Sequence, residues 1–160
     1  MRVKAIVDED FVNYKKASMF IATCYCDWKC CVEGGFDKSV CQNSPTAQQP
    51  DFVIMPDKIY DRYISNPITS AIVIGGLEPF YQFPEIMSLI TYFRSHGCED
   101  DFVIYTGYKQ EEVMPLVLHL TRIKNIIIKF GRYVPGDTPH FDEVLGVNLA
   151  NKEQFARRIS

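Results

Sequence analysis

Residues 70–76 read SAIVIGG, a short apolar run that ends in two glycines. A run of this length without polar alternation is typical of a strand that is buried on both faces, as in a parallel sheet. The chain continues with apolar residues at helical spacing over residues 83–97 and with a second apolar run, DFVIYTG, over residues 101–107. We therefore predict a buried strand, an amphipathic helix that ends at Gly97, and another strand.

The same alternation of strand and helix continues in both directions from this unit. Toward the C terminus, the sequence predicts a helix over 110–123, a strand over 125–131, a loop over 132–144, an extended segment over 145–149 and a terminal helix over 152–159. Toward the N terminus, it predicts a helix over 56–66 and a buried strand over 17–23. Right-handed crossovers join such strands into a mainly parallel sheet. We therefore predict an α/β fold as a single domain over residues 1–160.

The composition is that of a folded protein without a nucleic-acid surface. Of the 160 residues 47% are apolar and 23% charged, and the net charge is -3. The neighbouring Arg157 and Arg158 are expected to complement the dipole of the terminal helix. The first residues are acidic where a signal peptide is apolar, and no run approaches the roughly 18–20 apolar residues of a membrane span. We expect a cytoplasmic protein without nucleic-acid or membrane partners.

Four of the six cysteines follow the first core strand directly: Cys24, Cys26, Cys30 and Cys31. They begin a loop-like segment, residues 24–56, which is inserted after that strand and is longer than the roughly 12–15 residues of ordinary loops. Cytoplasmic thiols stay reduced, so clustered cysteines favour metal or redox chemistry over disulfides. Zinc takes four such ligands, and an iron–sulfur cluster takes three or four.

Other interpretations of these cysteines stay open. Free cysteines are often small buried hydrophobes, and zinc could also use this set. A thiol redox pair normally has C-x2-C spacing at a helix start, and zinc usually takes paired C-x2-C units. No two cysteines here have that spacing, which counts against both a redox pair and a typical zinc site. Cys98 lies beyond a helix end and is expected to be inert.

The ends of the predicted strands indicate where a ligand binds. In a parallel α/β sheet, ligands bind beyond the carboxyl ends of the strands. Besides the cysteines, those ends have GGLEP at residues 75–79, YTGY at 105–108 and IKFGRYVP at 128–135. Glycines let a ligand approach the backbone, and the carboxylate of Glu78 can pair with an ammonium group. Lys129 is expected to extend its side chain from a strand end toward water.

In order and spacing, these motifs resemble the small activating enzymes of the radical S-adenosylmethionine superfamily, particularly the activase of anaerobic ribonucleotide reductase. The resemblance spans roughly residues 17–155. In that family, C-x3-C-x2-C after a strand provides three thiolates for a 4Fe-4S cluster. Cys26 and Cys30 match the first two positions, and Glu33 occupies the third. The resemblance implies that Cys41, in the sequence CQN, is the displaced third ligand, with Cys24 and Cys31 as substitutes.

The resemblance also implies a truncated, partial βα barrel and a second cofactor, S-adenosylmethionine. Gly75, Gly76, Glu78 and Thr106 match the positions that contact it. The implied activity is reductive cleavage of S-adenosylmethionine to a 5′-deoxyadenosyl radical, with no catalytic residue beyond the cluster. The implied partners are a larger glycyl-radical enzyme and an electron donor such as flavodoxin or ferredoxin. The alternative hypothesis is a non-catalytic iron–sulfur or zinc-binding interaction module on the same α/β core.

Overall fold

A six-stranded mixed sheet forms the centre of the computed structural model, which describes all residues from 1 to 160. The strands are β1 (Arg2–Val3), β2 (Ala5–Asp10), β3 (Ser18–Thr23), β4 (Phe52–Val53), β5 (Ala71–Gly76), β6 (Asp101–Tyr105), β7 (Ile126–Phe130), β8 (His140–Asp142), β9 (Val147–Leu149) and β10 (Phe155–Arg158). The helices are α1 (Lys29–Gly34), α2 (Ser44–Gln48), α3 (Pro56–Ile64), α4 (Phe83–Ser95) and α5 (Gln110–Leu120), with short 3-10 turns at Lys38–Val40 and Pro79–Gln82.

The strand order in the sheet is β10-β7-β6-β5-β3-β2. Strands β3, β5, β6 and β7 run parallel, and the edge strands β2 and β10 pair antiparallel with their neighbours. The predicted α/β class with a mainly parallel sheet is therefore confirmed. The sheet keeps two open edges, so the barrel is partial and does not close.

The apolar strand runs are continuous because both faces of the sheet are covered. On one face, Ile72, Phe102 and Ile128 pack with the buried sides of α3, α4 and α5. On the other face, Val73 packs among residues that include Leu149 of β9. Helices cover only the first face, and irregular chain and the β8–β9 hairpin cover the second. Because these four strands, β3, β5, β6 and β7, run parallel, their carboxyl ends meet at one edge of the sheet. The segment after β3 overlies this edge.

The predicted terminal helix is wrong. Residues 155–158 form β10, which pairs with the free edge of β7 in antiparallel register, with Phe155 opposite Phe130. The two phenylalanine rings lie 5.5 Å apart, and Arg158 donates to Asp101 at 3.0 Å. Eight residues are too few to separate helical from strand periodicity, and the unpaired backbone of β7 decides the outcome. The two terminal arginines therefore do not lie at a helix end.

The two predicted loops also contain regular structure. Residues 24–56 include α1, α2 and β4, all of which are too short to produce a sequence periodicity. Residues 132–144 include β8, which pairs with the predicted extended segment β9. Pro115 lies inside α5 and not in its first turn. None of the helices combines the length and the apolar character that crossing a bilayer requires.

Candidate metal centre

A cleft that opens to solvent lies at the carboxyl edge of the parallel strands. Its walls come from the segment after β3 and from the ends of β5, β6 and β7. The chemically active side chains along it are Cys26, Cys30, Cys31, Cys41, Glu78, Thr106, Lys129 and Arg132.

The structure brings the three predicted cluster ligands, Cys26, Cys30 and Cys41, to this one cleft. Cys31 lines it as well, and the nearby Cys41 adds to the effect of burial in raising the pKa of the Cys31 thiol. Cys24 is buried beside a neighbouring shallow pocket and does not line the cleft. Of the two predicted substitutes, only Cys31 is therefore placed to bind the same group.

Cys98 lies away from the cleft, as expected of an inert cysteine. Its thiol points to the carboxylate of Asp100 at a distance of 3.7 Å.

A left-handed turn at Trp28 positions the first two thiols. Trp28 has φ +60°, and its backbone N–H donates to the sulfur of Cys26 at 3.2 Å. The helix α1 starts at the next residue and presents Cys30 to the cleft. Burial raises the pKa of Cys26 to about 12 and raises the pKa of Cys30, an effect that Arg132 and Lys129 oppose. Both thiols are thus protonated in the metal-free protein, and metal binding must release their protons.

The donor set fits an iron–sulfur cluster better than a single ion. No three histidine, cysteine, aspartate or glutamate side chains converge closely enough to hold one metal ion. Tetrahedral zinc needs four ligands around one point, whereas a 4Fe-4S cluster takes one thiolate on each ligated iron. Cys26, Cys30 and Cys41 line one cleft without forming such a group, which matches the second requirement.

Gly107, which the sequence did not single out as a site residue, packs directly against Cys30. A Cβ atom at residue 107 would lie 2.9 Å from the sulfur of Cys30. That distance is shorter than contact, so any side chain here pushes the thiol out of place.

We predict that Gly107→Ala reduces cluster assembly more than it reduces stability. Iron bound after anaerobic reconstitution should fall at least threefold, because Cys30 is displaced. Gly136→Ala is the control for a loss of stability alone, since a Cβ at that exposed glycine meets no atom within 4 Å, while its φ of +76° makes alanine strained there. Equal iron in Gly107→Ala and Gly136→Ala would contradict the assigned position of Cys30.

Glu78 is buried at the floor of the cleft, with 4% of its surface exposed. Its carboxylate accepts hydrogen bonds from the hydroxyl of Thr106 at 2.8 Å, from the backbone N–H of Gly107 at 2.9 Å and from that of Phe80 at 3.1 Å. Burial raises the pKa of Glu78 to about 7 against the opposing effect of these donors. Glu78 therefore ties the end of β5 to the end of β6, and the predicted site residues Glu78 and Thr106 are in direct contact.

The two glycines predicted to contact S-adenosylmethionine, Gly75 and Gly76, differ in their position relative to the cleft. Gly76 lines the cleft with φ +81°, a conformation that glycine adopts readily. Gly75 does not line it; a Cβ there would lie 3.2 Å from the ring of Phe20 and 3.3 Å from the Cβ of Tyr105. Gly75 thus permits close packing at the end of the sheet.

Lys129 does not extend to water, contrary to expectation. Its side chain points into the cleft, the residue is 6% exposed, and its ammonium group donates to the carbonyl of Gly131 at 3.2 Å. Burial lowers the pKa of Lys129 to about 8, and the nearby Cys30 and Glu78 oppose this shift. A lysine inside the apolar run IIIKF was the signal that sequence analysis could have used, because buried lysines need a counter-charge.

The fold and the cleft define a class: an α/β domain with a partial barrel and a thiol-lined site at its carboxyl edge. In a comparison with known families, the family model of the 4Fe-4S single cluster domain matches residues 15–138. The chain belongs to this family. No curated protein and no solved structure matches the chain.

Proposed function

We propose that the protein is a radical S-adenosylmethionine enzyme of the small activase type. The observation that supports this most strongly is the single cleft that combines Cys26, Cys30 and Cys41 with a buried lysine and a buried glutamate. Cys26, Cys30 and Cys41 would hold a 4Fe-4S cluster through three thiolates, which would leave one iron available to a second ligand. When bound, the cluster and S-adenosylmethionine together supply a one-electron reductive cleavage that yields a 5′-deoxyadenosyl radical.

The charged groups of the cleft complement the methionine part of S-adenosylmethionine. The ammonium group of Lys129 uses one donor on Gly131 and has two N–H donors left for a carboxylate. On Glu78, Oε2 accepts only from Gly107, so a lone pair remains for an amino group. In this proposal the two buried charges orient the ligand, and Thr106 holds Glu78 in place.

The open side of the cleft supports a protein substrate. The cleft is accessible to solvent, and Phe20, Leu77 and Tyr105 contribute its apolar walls. In this proposal a glycine on a chain that enters from outside would reach the cofactors through this opening, while the apolar walls would limit contact with water. The proposed substrate is a glycine of a larger partner such as anaerobic ribonucleotide reductase, and the proposed electron donor is a flavodoxin or ferredoxin.

The proposal is tested by anaerobic reconstitution with iron and sulfide, followed by reduction in the presence of S-adenosylmethionine. We expect 5′-deoxyadenosine and methionine in equal amounts, detected by chromatography. The Cys98→Ala protein serves as the control and should retain this activity, because Cys98 lies outside the cleft. Fully loaded, reduced protein that releases no 5′-deoxyadenosine would contradict the proposal.

A second function is favoured by the position of Cys31. Because this fourth thiol lines the same cleft near Cys41, four thiolates could close the cluster completely. A fully ligated cluster has no open iron and serves electron transfer or an interaction module. The two functions differ in whether S-adenosylmethionine contacts iron.

A further inference from the structure

Arg132 is a buried arginine that contacts three separate elements around the cleft. Its side chain is 6% exposed. Nε and Nη2 donate to the two carboxylate oxygens of Glu33 at 2.9 and 3.0 Å, which is a bidentate pair. Nη2 also donates to Glu112 at 2.7 Å, and Nη1 donates to the carbonyl of Gly107 at 2.5 Å. The guanidinium group is thus almost fully used in holding neighbours.

These partners lie on the elements that form the cleft. Glu33 is on α1, three residues after Cys30. Gly107 follows β6 and packs against the sulfur of Cys30, and Glu112 lies in the first turn of α5. Lys29, at the start of α1, also pairs with Glu112. Two cations and two carboxylates therefore join α1 to the sheet edge with no net charge.

Glu33, a member of this network, lies at a position where the family motif has a cluster ligand. The C-x3-C-x2-C spacing would place a cluster ligand at residue 33, where the chain has Glu33. Glu33 does not line the cysteine cleft and lies in a neighbouring pocket with Arg132. A ligand at this position would tether α1 through the metal group, whereas Glu33 tethers it through Arg132.

We propose that the Arg132–Glu33 pair docks α1 on the sheet edge and so positions Cys30 before any cluster binds. Arg132 is then a positioning residue. Its relevance to cluster assembly rests on the proposed function, in which Cys30 is a ligand, but the docking itself does not. A bidentate pair with a largely buried guanidinium is a stronger constraint than the exposed ion pairs elsewhere on the chain.

Amide hydrogen exchange of the cluster-free protein tests the docking directly. In Arg132→Gln, the amides of residues 32–36 should exchange at least tenfold faster than in the wild type, with α4 unchanged. Arg132→Lys should recover part of the protection, because lysine keeps the positive charge but cannot form the bidentate pair of hydrogen bonds that the guanidinium group makes. Arg122→Gln, which changes an exposed arginine outside every ion pair of the structure, is the matched control and should behave as wild type.

If the amides of residues 32–36 exchange at the wild-type rate in Arg132→Gln, the proposal is overturned. An equal increase in the exchange rate of the α4 amides would also overturn it, because it would show a general loss of stability. If Arg132→Gln fails to fold, Glu33→Gln removes the same pair from its partner side, whose side chain is 43% exposed. It should accelerate exchange in the same segment alone.

The rate of cluster assembly is the second measurement that tests the proposal. In folded Arg132→Gln, iron should load at least threefold more slowly than in Arg122→Gln, and unchanged loading would overturn the link to Cys30. Because the exchange experiment contains no cofactor, its result does not depend on radical chemistry. Failure of the docking model and failure of the proposed function are therefore distinguishable.

Discussion

Cys41→Ala protein is expected to bind less than a quarter of the iron that the wild type binds after anaerobic reconstitution. A 4Fe-4S cluster with three protein thiolates loses one of only three anchors when Cys41 is removed. The measurement is iron and sulfide per chain, together with the visible absorbance of the cluster. The wild type should bind about four irons.

Two further cysteine variants test whether the loss of iron is specific to Cys41. Cys98→Ala removes a thiol that points to Asp100 outside the cleft and should leave the iron content unchanged. Cys31→Ala removes the thiol beside Cys41 and should also leave it nearly unchanged. Full iron in Cys41→Ala together with a loss in Cys31→Ala would assign the third ligand to Cys31 instead.

Lys129→Met is expected to make the cluster-free protein more stable at pH 7 and to weaken S-adenosylmethionine binding at least tenfold. Burial lowers the pKa of Lys129 to about 8, whereas an unfolded lysine titrates near 10.4. The charged form therefore costs the folded state about 3 kcal/mol at pH 7. This cost falls as the pH rises from 8 toward 10.4, so wild-type stability approaches that of the variant there.

Chemical denaturation of both proteins at pH 7 and pH 9.5 measures this difference. Methionine fills a similar volume without a charge, so the variant should be the more stable one at pH 7, by about 1–3 kcal/mol, and the gap should shrink at pH 9.5. Lys124→Met, at an exposed lysine, is the control. A variant that is less stable than wild type at both pH values would show that Lys129 forms a stabilising ion pair in the empty cleft.

The central part of the fold could be predicted because its strands are buried on both faces. The runs AIVIGG, DFVIY and IIIKF have no polar alternation, and helices with a clear apolar side separate them. The terminal segment could not be predicted, since its strand conformation depends on the edge of β7 and not on local sequence. The helices α1 and α2 were missed because each has at most six residues.

The cleft was predictable in its location and only partly in its residues. Parallel strands place their carboxyl ends together, which brought the cysteines, Glu78 and Thr106 to one place. Gly107 and Arg132 were missed because their roles depend on tertiary contacts, with Cys30 in one case and with Glu33 in the other. Spacing along the chain contains no information about such contacts.

The most direct test of the central claim is the electron paramagnetic resonance spectrum of the reduced cluster, recorded with and without S-adenosylmethionine. If Cys26, Cys30 and Cys41 leave one iron without a protein ligand, adding S-adenosylmethionine changes the spectrum, because its amino and carboxylate groups bind that iron. A spectrum that stays the same at saturating S-adenosylmethionine would contradict the account and show a cluster closed by four protein ligands, with Cys31 as the fourth.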